Sequence, residues 1–279
     1  MLPIKKIYID TRQKTADSTS HSDFSVDLPT TFLMPDDTGF YVEDICLPIS
    51  WWTIEAGVND MLFWGLQLVG TTQIAPTQSI IPAGIYTSEE LGIAIVKEMN
   101  GQFGTAPRFA SEYRKAQNAF VIKWLDSYIG TDQTKFFKIF TNSEAVALGY
   151  DARFIKRSIN EFIKNYTSDV VYVKSFPFVS GYLDMNPTRN AYLSCTGLGN
   201  FSTVSLTGDR NIIKKIPVNG NPGDIIYDQS QTGVDYLDCS RQTLSRISFQ
   251  LKDNFGRILD LHGIHWSFSL VFSRVQNGI

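Results

Sequence analysis

Two histidines near the C-terminus come closest to forming a chemical site. His262 and His265 lie three residues apart, just before the last predicted strand. Metal enzymes built on β-sandwiches hold their ion with two or three histidines and a carboxylate. A spacing of three sends two side chains to opposite faces of a regular strand, so only a turn would bring these two together with Asp260. We therefore predict that both histidines line a turn and that the chain holds no metal.

The sequence lacks the motifs of common catalytic and cofactor sites. It has no Gly-x-Ser-x-Gly turn for a nucleophilic serine and no Gly-x-x-x-x-Gly-Lys loop for a phosphate. The adjacent carboxylates Asp36-Asp37 and Glu89-Glu90 fit a turn and the first turn of a helix better than an acid–base pair. We predict no catalytic residue and no cofactor, and so a protein that is not an enzyme.

The cysteines argue against a disulfide-stapled protein. Cys46, Cys195 and Cys239 are odd in number and far apart. A chain of 279 residues can also bury a sufficient core without cross-links. We interpret all three as buried thiols in a reducing compartment.

A tryptophan pair and two serines are the candidate interface residues. Trp51 and Trp52 are adjacent, so in a strand one indole enters the core and the other faces outward. Tryptophan is enriched at the desolvated centres of interfaces. Ser267 and Ser269 are small residues on the outward side of the last strand and suit close contact with another layer. Core and edge packing of the indoles, and an ordinary exposed polar face, are the alternatives.

The elements that must position these residues are mostly strands. Near the C-terminus, apolar and polar residues alternate at 247–251 and again at 266–273, as in strands that bury one face. Asp253-Asn-Phe-Gly256 supplies a turn between them, and we predict that the two strands pair. Other short strands, separated by Gly, Pro and Asn, bring the total to eight or more. The pattern predicts a mainly β protein, a sandwich or jelly roll.

The start of the chain contains a polar stretch between two predicted strands. Residues 11–22 are rich in Thr and Ser, which is typical of a mobile loop or arm. The alternating strand that follows at residue 24 should stop at Pro29, because proline cannot donate to a strand ladder. We predict that residues 1–22 form an N-terminal arm.

The character of the sequence changes between residues 80 and 155. Thr87, followed by the acidic residues Glu89 and Glu90, predicts the start of a helix. The apolar stripe of this helix comprises Leu91, Ile93, Ile95, Val96 and Met99. A hairpin, a short strand and a short helix follow. We predict a small α+β insertion domain at 80–155 within a jelly-roll domain formed by 1–79 and 156–279.

The charge balance gives no indication of a strongly charged partner. The chain carries 25 basic and 28 acidic residues, with a formal charge of −3 and interspersed signs. We interpret the basic pairs Lys5-Lys6, Lys156-Arg157 and Lys214-Lys215 as solvated or interface charges. Contact with nucleic acid is therefore expected to be weak or absent. No apolar stretch is long enough for a membrane-spanning helix.

Three stretches of the sequence resemble a viral family. Ile81-Pro-Ala-Gly-Ile-Tyr-Thr-Ser-Glu-Glu-Leu91 begins the insertion and Ala147-Leu-Gly-Tyr150 closes it. Residues 247–263, followed by Phe268-Ser-Leu-Val-Phe272, end the chain. Together these stretches resemble the penton, or minor capsid, proteins of virophages and of Maverick/Polinton elements, with the Mavirus type as the nearest member. The order of elements agrees over most of the chain.

The resemblance implies a single jelly roll that assembles into a homopentamer. Five copies would close each fivefold vertex of an icosahedral double-stranded DNA virus or virophage capsid, beside a double-jelly-roll major capsid protein. The protein would assemble inside the host cell and end in the virion. The insertion would face outward and meet a host receptor, and the arm would tie the vertex to its neighbours. Gly208-Asp209-Arg210 is not an Arg-Gly-Asp attachment motif, so integrin binding is not implied.

Two other functions stay open at this point. A viral receptor- or glycan-binding β-sandwich, such as a fibre head or lectin, shares the aromatic strands and the lack of catalytic groups, and a glycan array would identify it. A cupin-like metal enzyme would use His262 and His265, and elemental analysis of the purified protein would identify it.

Overall fold

The structure is a computed structural model, in which two compact units can be distinguished. It describes residues 5–67, 74–104, 107–125, 136–140, 142–150, 159, 171–172, 178–186, 188–199, 201–204, 208, 210–229 and 236–274. The first unit comprises Met1–Trp51 and Thr188–Ile279, and the second unit comprises Trp52–Pro187.

Strands dominate both units. In chain order the strands and helices are β1 (Lys5–Asp10), β2 (Asp23–Leu33), β3 (Thr38–Pro48), β4 (Met61–Gln67), β5 (Ile74–Ile80), α1 (Ser88–Gly101), β6 (Phe109–Arg114), β7 (Ala119–Trp124), β8 (Phe136–Ile139), α2 (Asn142–Ala147), β9 (Val171–Tyr172), β10 (Phe178–Val179), β11 (Asn190–Thr196), β12 (Ile212–Pro217), β13 (Ile225–Asp228), β14 (Leu237–Asp238), β15 (Thr243–Lys252) and β16 (Ser267–Arg274).

The first unit is a jelly roll. One antiparallel sheet has the order β1-β16-β3-β13, with the short β14 also pairing with β3, and the other has the order β12-β11-β15-β2. If the eight main strands are numbered along the chain, the orders are 1-8-3-6 and 5-4-7-2, which is the jelly-roll arrangement of two Greek keys. The prediction of a mainly β jelly-roll sandwich is therefore confirmed.

The core of the first unit lies between its two sheets. Phe249 of β15 and Phe268 of β16 belong to different sheets, and their ring centroids are 5.0 Å apart in an edge-to-face contact. Trp266 stacks on Phe268 and meets Phe24 of β2 edge-on. The alternation seen in the sequence thus supplies one set of aromatic residues from each sheet to a common core.

The last two strands do not pair with each other, contrary to the prediction. β15 pairs with β2 and β11, whereas β16 pairs with β1 and β3. Asp253–Gly256 does form a turn, and the Asp253 carboxylate accepts hydrogen bonds from the backbone N–H groups of Phe255 and Arg257. This turn leads only to an isolated bridge between Lys252 and Ile258, after which the chain crosses to the other sheet.

Pro29 does not end β2, which is the second difference from the prediction. The register between β2 and β15 passes from Asp27 opposite Arg246 to Phe32 opposite Leu244, so β15 leaves the residues around Pro29 unpaired at a bulge. β2 is also an edge strand. Proline lacks a backbone N–H, but at an edge or a bulge the ladder requires no hydrogen bond from that position. The strand therefore continues to Leu33.

The polar N-terminal stretch is not a mobile arm, at least from residue 5 onward. β1 lies in the first sheet, and Thr11 is fully buried. The Thr11 hydroxyl accepts a hydrogen bond from the backbone N–H of Trp266, and the Trp266 indole N–H donates to the carbonyl of His21 at 2.7 Å. The hydroxyl residues that suggested a loop therefore fix this segment to the jelly roll.

The second unit is an α+β body with its own core. Its sheets have the orders β5-β4-β8-β9 and β10-β7-β6. Thr87 caps α1 as predicted: its hydroxyl accepts from the Glu90 N–H at 3.3 Å, and the Glu90 carboxylate accepts from the Thr87 N–H at 2.9 Å. Buried residues of the helix stripe join a cluster around Trp64. Ile93, which the prediction placed in that stripe, is instead 55% exposed.

The limits of the second unit differ from those of the predicted insertion. β4 and β5 precede residue 80, yet they pair with each other, and β4 also pairs with β8 inside the unit. The chain leaves the jelly roll soon after β3 and returns at β11. Of the predicted strand at 170–176, only β9 lies within the described residues, and the pair Lys156-Arg157 lies outside them.

Candidate interaction surface

Alternate residues of the sheet β1-β16-β3-β13 point away from the core and form what we call the first face. Its members include Lys6, Tyr8, Asp10, Glu43, Asp44, Cys46, Tyr227, Ser267 and Ser269. The register aligns them in two rows across the strands. One row runs Asp10–Ser267–Cys46–Tyr227, and the other runs Tyr8–Ser269–Asp44. With strands about 4.8 Å apart, the first row is about 14 Å long.

A bulge brings two neighbouring carboxylates onto this face. β16 pairs Ser269 with Asp44 but Leu270 with Val42, so β3 contains one extra residue, Glu43. The hydroxyl of Ser269 reaches carboxylate oxygens of both Glu43, at 3.2 Å, and Asp44. A hydroxyl has one proton, so it can donate to only one of the two at a time. Ser269 itself is 1% exposed.

The charges of the first face are not balanced. Lys6 forms an ion pair with Glu43, which lowers the pKa of Glu43 and raises that of Lys6. Arg12 binds Asp10 and lowers the pKa of this carboxyl group. The cations Lys6 and Arg12 thus stand beside three carboxylates, those of Asp10, Glu43 and Asp44. Asp44 lies in the field of Lys6, but the Lys6 ammonium pairs with Glu43. The face therefore carries one net negative charge at Asp44.

A groove of about 410 Å³ lies on this face. Its lining includes Tyr8 and Tyr227, which belong to the two edge strands, and the smaller Ser267 and Cys46 from the strands between them. The tyrosine side chains are 72% and 73% exposed. Such rings supply large contact area, a hydroxyl and a face for a cation, which are the properties of interface anchors.

The predicted interface residues have different positions in the structure. Trp51 is 1% exposed and belongs to the core of the first unit, so its ring offers no surface to a partner. Trp52 is the first residue of the second unit and is half-buried. Ser267 lines the groove, and Ser269 lies beneath the two carboxylates. The structure thus brings together the two serines but not the tryptophans.

The outer surface of the sheet β12-β11-β15-β2 is the second face, and one half of it is internally matched. Ser25 and Ser248 form a hydrogen bond across the strands at 2.7 Å. Arg246 binds Asp17 and lies 3.9 Å from Asp27. Gln250 donates to Asp23 at 3.2 Å.

The other half of the second face is basic. Lys215 of β12 and Lys252 of β15 lie opposite Tyr192 of β11 in the register. The three residues form a cross-strand row, Lys215–Tyr192–Lys252, and Lys215 is exposed. We call these three residues the lysine row.

His262 has structural contacts. The Nδ1 atom of His262 lies 3.0 Å from the carbonyl oxygen of Ser50, and its backbone N–H donates to the Asp260 carboxylate at 2.8 Å. This turn accommodates His262 at a φ of 51°. Among the residues that the structure describes, no three His, Cys, Asp or Glu side chains are grouped so that they could hold a metal ion.

The cysteines are all free thiols, but they are not all buried. Cys195 and Cys239 lie in the core. Burial raises the pKa of Cys195 strongly and that of Cys239 to about 12. Cys46, by contrast, is half-buried on the floor of the groove. The interpretation of three buried thiols is therefore wrong for Cys46, because its strand position places it on the outer side of β3.

Two further features of the sequence indicate this surface. The apolar residues of β3 change phase, from Phe40 and Val42 to Ile45 and Leu47, which indicates an extra residue between the two pairs. Tyr8 alternates with the buried Ile9 in the first strand and so must face outward. No helix in the described part of the chain has the length and apolar character needed to cross a membrane.

Comparison with solved structures identifies a penton-like fold. The crystal structure of the selenomethionine-labelled mavirus penton protein is similar to this chain with a TM-score of 0.57 and 12% sequence identity. The similarity covers 98% of this chain and 99% of that one, so it extends over both compact units. No family model matches the sequence, and no curated protein matches it.

Proposed function

We propose that this protein is a capsid penton, which forms homopentamers that close the fivefold vertices of an icosahedral double-stranded DNA virus or virophage. The observation that carries the proposal is the similarity to the mavirus penton protein over the whole of both chains. A jelly roll alone would be weak support, because unrelated functions share that fold. Here the similarity also includes the second unit, which is inserted between β3 and β11.

The two faces of the jelly roll suit a cyclic assembly. In a ring, each subunit presents one patch to the next subunit and a different patch to the previous one. The first face has an acidic groove between exposed tyrosines, and the second face has the lysine row. A formal charge of −3 on the whole chain adds little repulsion between five copies.

The remaining parts of the proposal concern partners and location. The homopentamer would contact the double-jelly-roll major capsid protein of the same virus and would reside in the virion. Assembly in the reducing host cell agrees with three free cysteines. The second unit would face outward and contact a host receptor.

Mass measurement of the purified chain tests the pentamer. We expect light scattering to give five times the chain mass, and electron microscopy to show rings with fivefold symmetry. A monomer at every concentration examined would contradict the proposal, and a monomer that also binds sugars on a glycan array would establish the receptor-binding alternative.

An epitope tag tests the outward placement of the second unit. Lys115–Gln117 forms an exposed turn between β6 and β7 and can accept an insertion. When the tagged chain is co-expressed with the major capsid protein, antibody should label the vertices of intact particles. Labelling only after the particles are disrupted would place the second unit inside the shell.

A further inference from the structure

The geometry points to the first face of one copy as the site that the lysine row of the next copy covers. This inference rests on the proposed homopentamer and goes further, because it names the two surfaces that meet. Ammonium groups of Lys215 and Lys252 would approach Asp44, and the rings of Tyr8 and Tyr227 would flank the contact.

Charge complementarity favours this occupant. None of the groove-lining residues is Lys or Arg, and the lining includes the carboxylates of Asp10 and Asp44. Asp10 is bound by Arg12, so Asp44 is the group that gains most from an added cation. On the second face, the lysine row places two cations on either side of one tyrosine. A close opposite charge across an interface suppresses wrong pairings and speeds association.

The aromatic residues can receive lysine side chains. The ammonium of Lys6 already lies 5.0 Å from the centroid of the Tyr8 ring in the same chain, which shows that this ring is accessible to a cation. Tyr227 is equally exposed at the opposite end of the groove. Lysine stems are apolar and can cover the floor of small residues, while their charged ends remain near Asp44.

The two surfaces lie on opposite sides of the sandwich, so the lysine row cannot contact the first face of its own copy. The first face belongs to β1, β16, β3 and β13, and the lysine row belongs to β12, β11 and β15 of the other sheet. A contact between different patches of identical chains propagates from copy to copy and closes into a ring when the rotation permits. The contact is therefore of the type that a cyclic pentamer requires.

Cys46 provides a direct measurement of whether the groove is covered. It lines the groove and is half-buried, whereas Cys195 and Cys239 are buried in the core. In the full chain, we expect alkylation of Cys46 to be slower in the pentamer than in dissociated subunits by about tenfold or more. A pentamer in which Cys46 reacts at the rate of the dissociated subunit would overturn the inference and leave the pentamer itself intact.

Cross-linking identifies the occupant. In the Lys215→Cys variant, a short bifunctional maleimide should join Cys46 of one copy to position 215 of the next. Because the contact is between different patches, the products should form a ladder up to the covalent pentamer. Lys115→Cys, in the exposed turn of the second unit, is the matched control and should give no ladder. Addition of Cys46→Ser to Lys215→Cys should abolish the ladder.

Other cross-linking outcomes overturn the inference. Products that stop at the dimer would indicate a symmetric pairing of like faces. Protection of Cys46 that appears only after the major capsid protein is added would assign the groove to that protein. A chain that is monomeric throughout would contradict the pentamer, and the inference with it, so the mass measurement separates the two failures.

Charge reversal supplies an independent test. Asp44→Lys should weaken the pentamer by about tenfold or more, and Lys215→Asp should do the same. The double variant, which exchanges the signs, should recover much of the loss if the two residues meet. Additive losses in the double variant would show that they do not meet.

Discussion

The two faces of the jelly roll differ in how their polar groups are matched. On the β2–β15 half of the second face, polar side chains satisfy one another across the strands, as the Ser25–Ser248 hydrogen bond shows. On the first face, one lysine stands beside two carboxylates, and exposed tyrosines line a groove. Both faces come from strands with the same alternation, so the difference arises from the outward residues and from one bulge.

This difference shows where a partner would gain free energy. A surface whose charges and hydrogen bonds are already satisfied loses as much as it gains when water is removed. An unbalanced carboxylate beside exposed rings gains both a charge partner and apolar contact. The first face therefore has more to gain from being covered than the matched half of the second face.

The largest effect is expected from a substitution in the hydrophobic core, which lies between the two sheets that carry these faces. Phe249→Ala deletes the ring that contacts Phe268 of the opposite sheet, at a position that is fully buried. We expect a loss of about 3–5 kcal/mol in the free energy of unfolding, measured by urea denaturation. Phe255→Ala, at a residue that is 59% exposed, is the control and should change stability by less than about 0.5 kcal/mol. Equal effects of the two variants would refute this account of the core.

The next prediction concerns the association of subunits through the first face rather than the free energy of unfolding. Tyr8→Ala combined with Tyr227→Ala should weaken the proposed pentamer by about 2 kcal/mol or more, or roughly 30-fold in the dissociation constant. The unfolding free energy should change little, because both rings are exposed. Tyr182→Ala, at a tyrosine of the second unit that is 70% exposed, is the matched control for analytical ultracentrifugation. An unchanged dissociation constant in the double variant would remove the first face from the interface.

The sequence predicts the strands and helices of this molecule better than it predicts which strands pair with each other. Alternation identifies β15 and β16, and Thr87 with the acidic residues that follow it locates the start of α1, because these patterns depend on neighbours in the chain. Alternation does not say which strand lies beside which. Asp253–Gly256 has the composition of a hairpin turn, yet the chain crosses to the other sheet, and only the packing of the whole sandwich decides between the two.

Predictions that rested on residue type alone were the least reliable. Thr11 and His21 suggest a mobile loop by composition, but their contacts with Trp266 depend on a residue more than 200 positions away. Trp51 was proposed as an interface residue because its type is common there, and the core holds it instead. The phase change in β3 indicates the extra residue at Glu43, but the contact of Glu43 and Asp44 with Ser269 depends on the position of β16, and the charge imbalance depends on the position of Lys6.

A smaller effect compares one serine from each face. Ser269→Ala removes a hydroxyl that donates to carboxylates, and hydrogen bonds to charged groups contribute about 1.5–3 kcal/mol. Ser248→Ala removes a bond between two neutral hydroxyls, for which about 0.5–1.5 kcal/mol is expected. Urea denaturation of the two variants should therefore rank Ser269→Ala as the more destabilising. The reverse order would contradict the contrast between the faces.

The smallest effect concerns the exposed ion pair of the second face and appears only in acid. Hydrogen bonds from the Thr15 hydroxyl and from Arg246 lower the pKa of Asp17 to about 2, from 3.8 in the unfolded chain. A carboxyl group with a lowered pKa stabilises the fold above its unfolded pKa, and this contribution is lost as the pH falls from about 4 to about 2.

Asp17→Asn should thus be less stable than the native chain near pH 6 and should approach it in stability near pH 2, in urea denaturation across that range. High salt should reduce the difference, because the pair is exposed to solvent. Lys6→Gln is the corresponding change on the first face, where the pKa of Glu43 is lowered chiefly by Lys6 and should rise in the variant, as NMR titration would show. A difference between Asp17→Asn and the native chain that persists unchanged at pH 2 would mean that Asp17 acts through packing rather than through its charge.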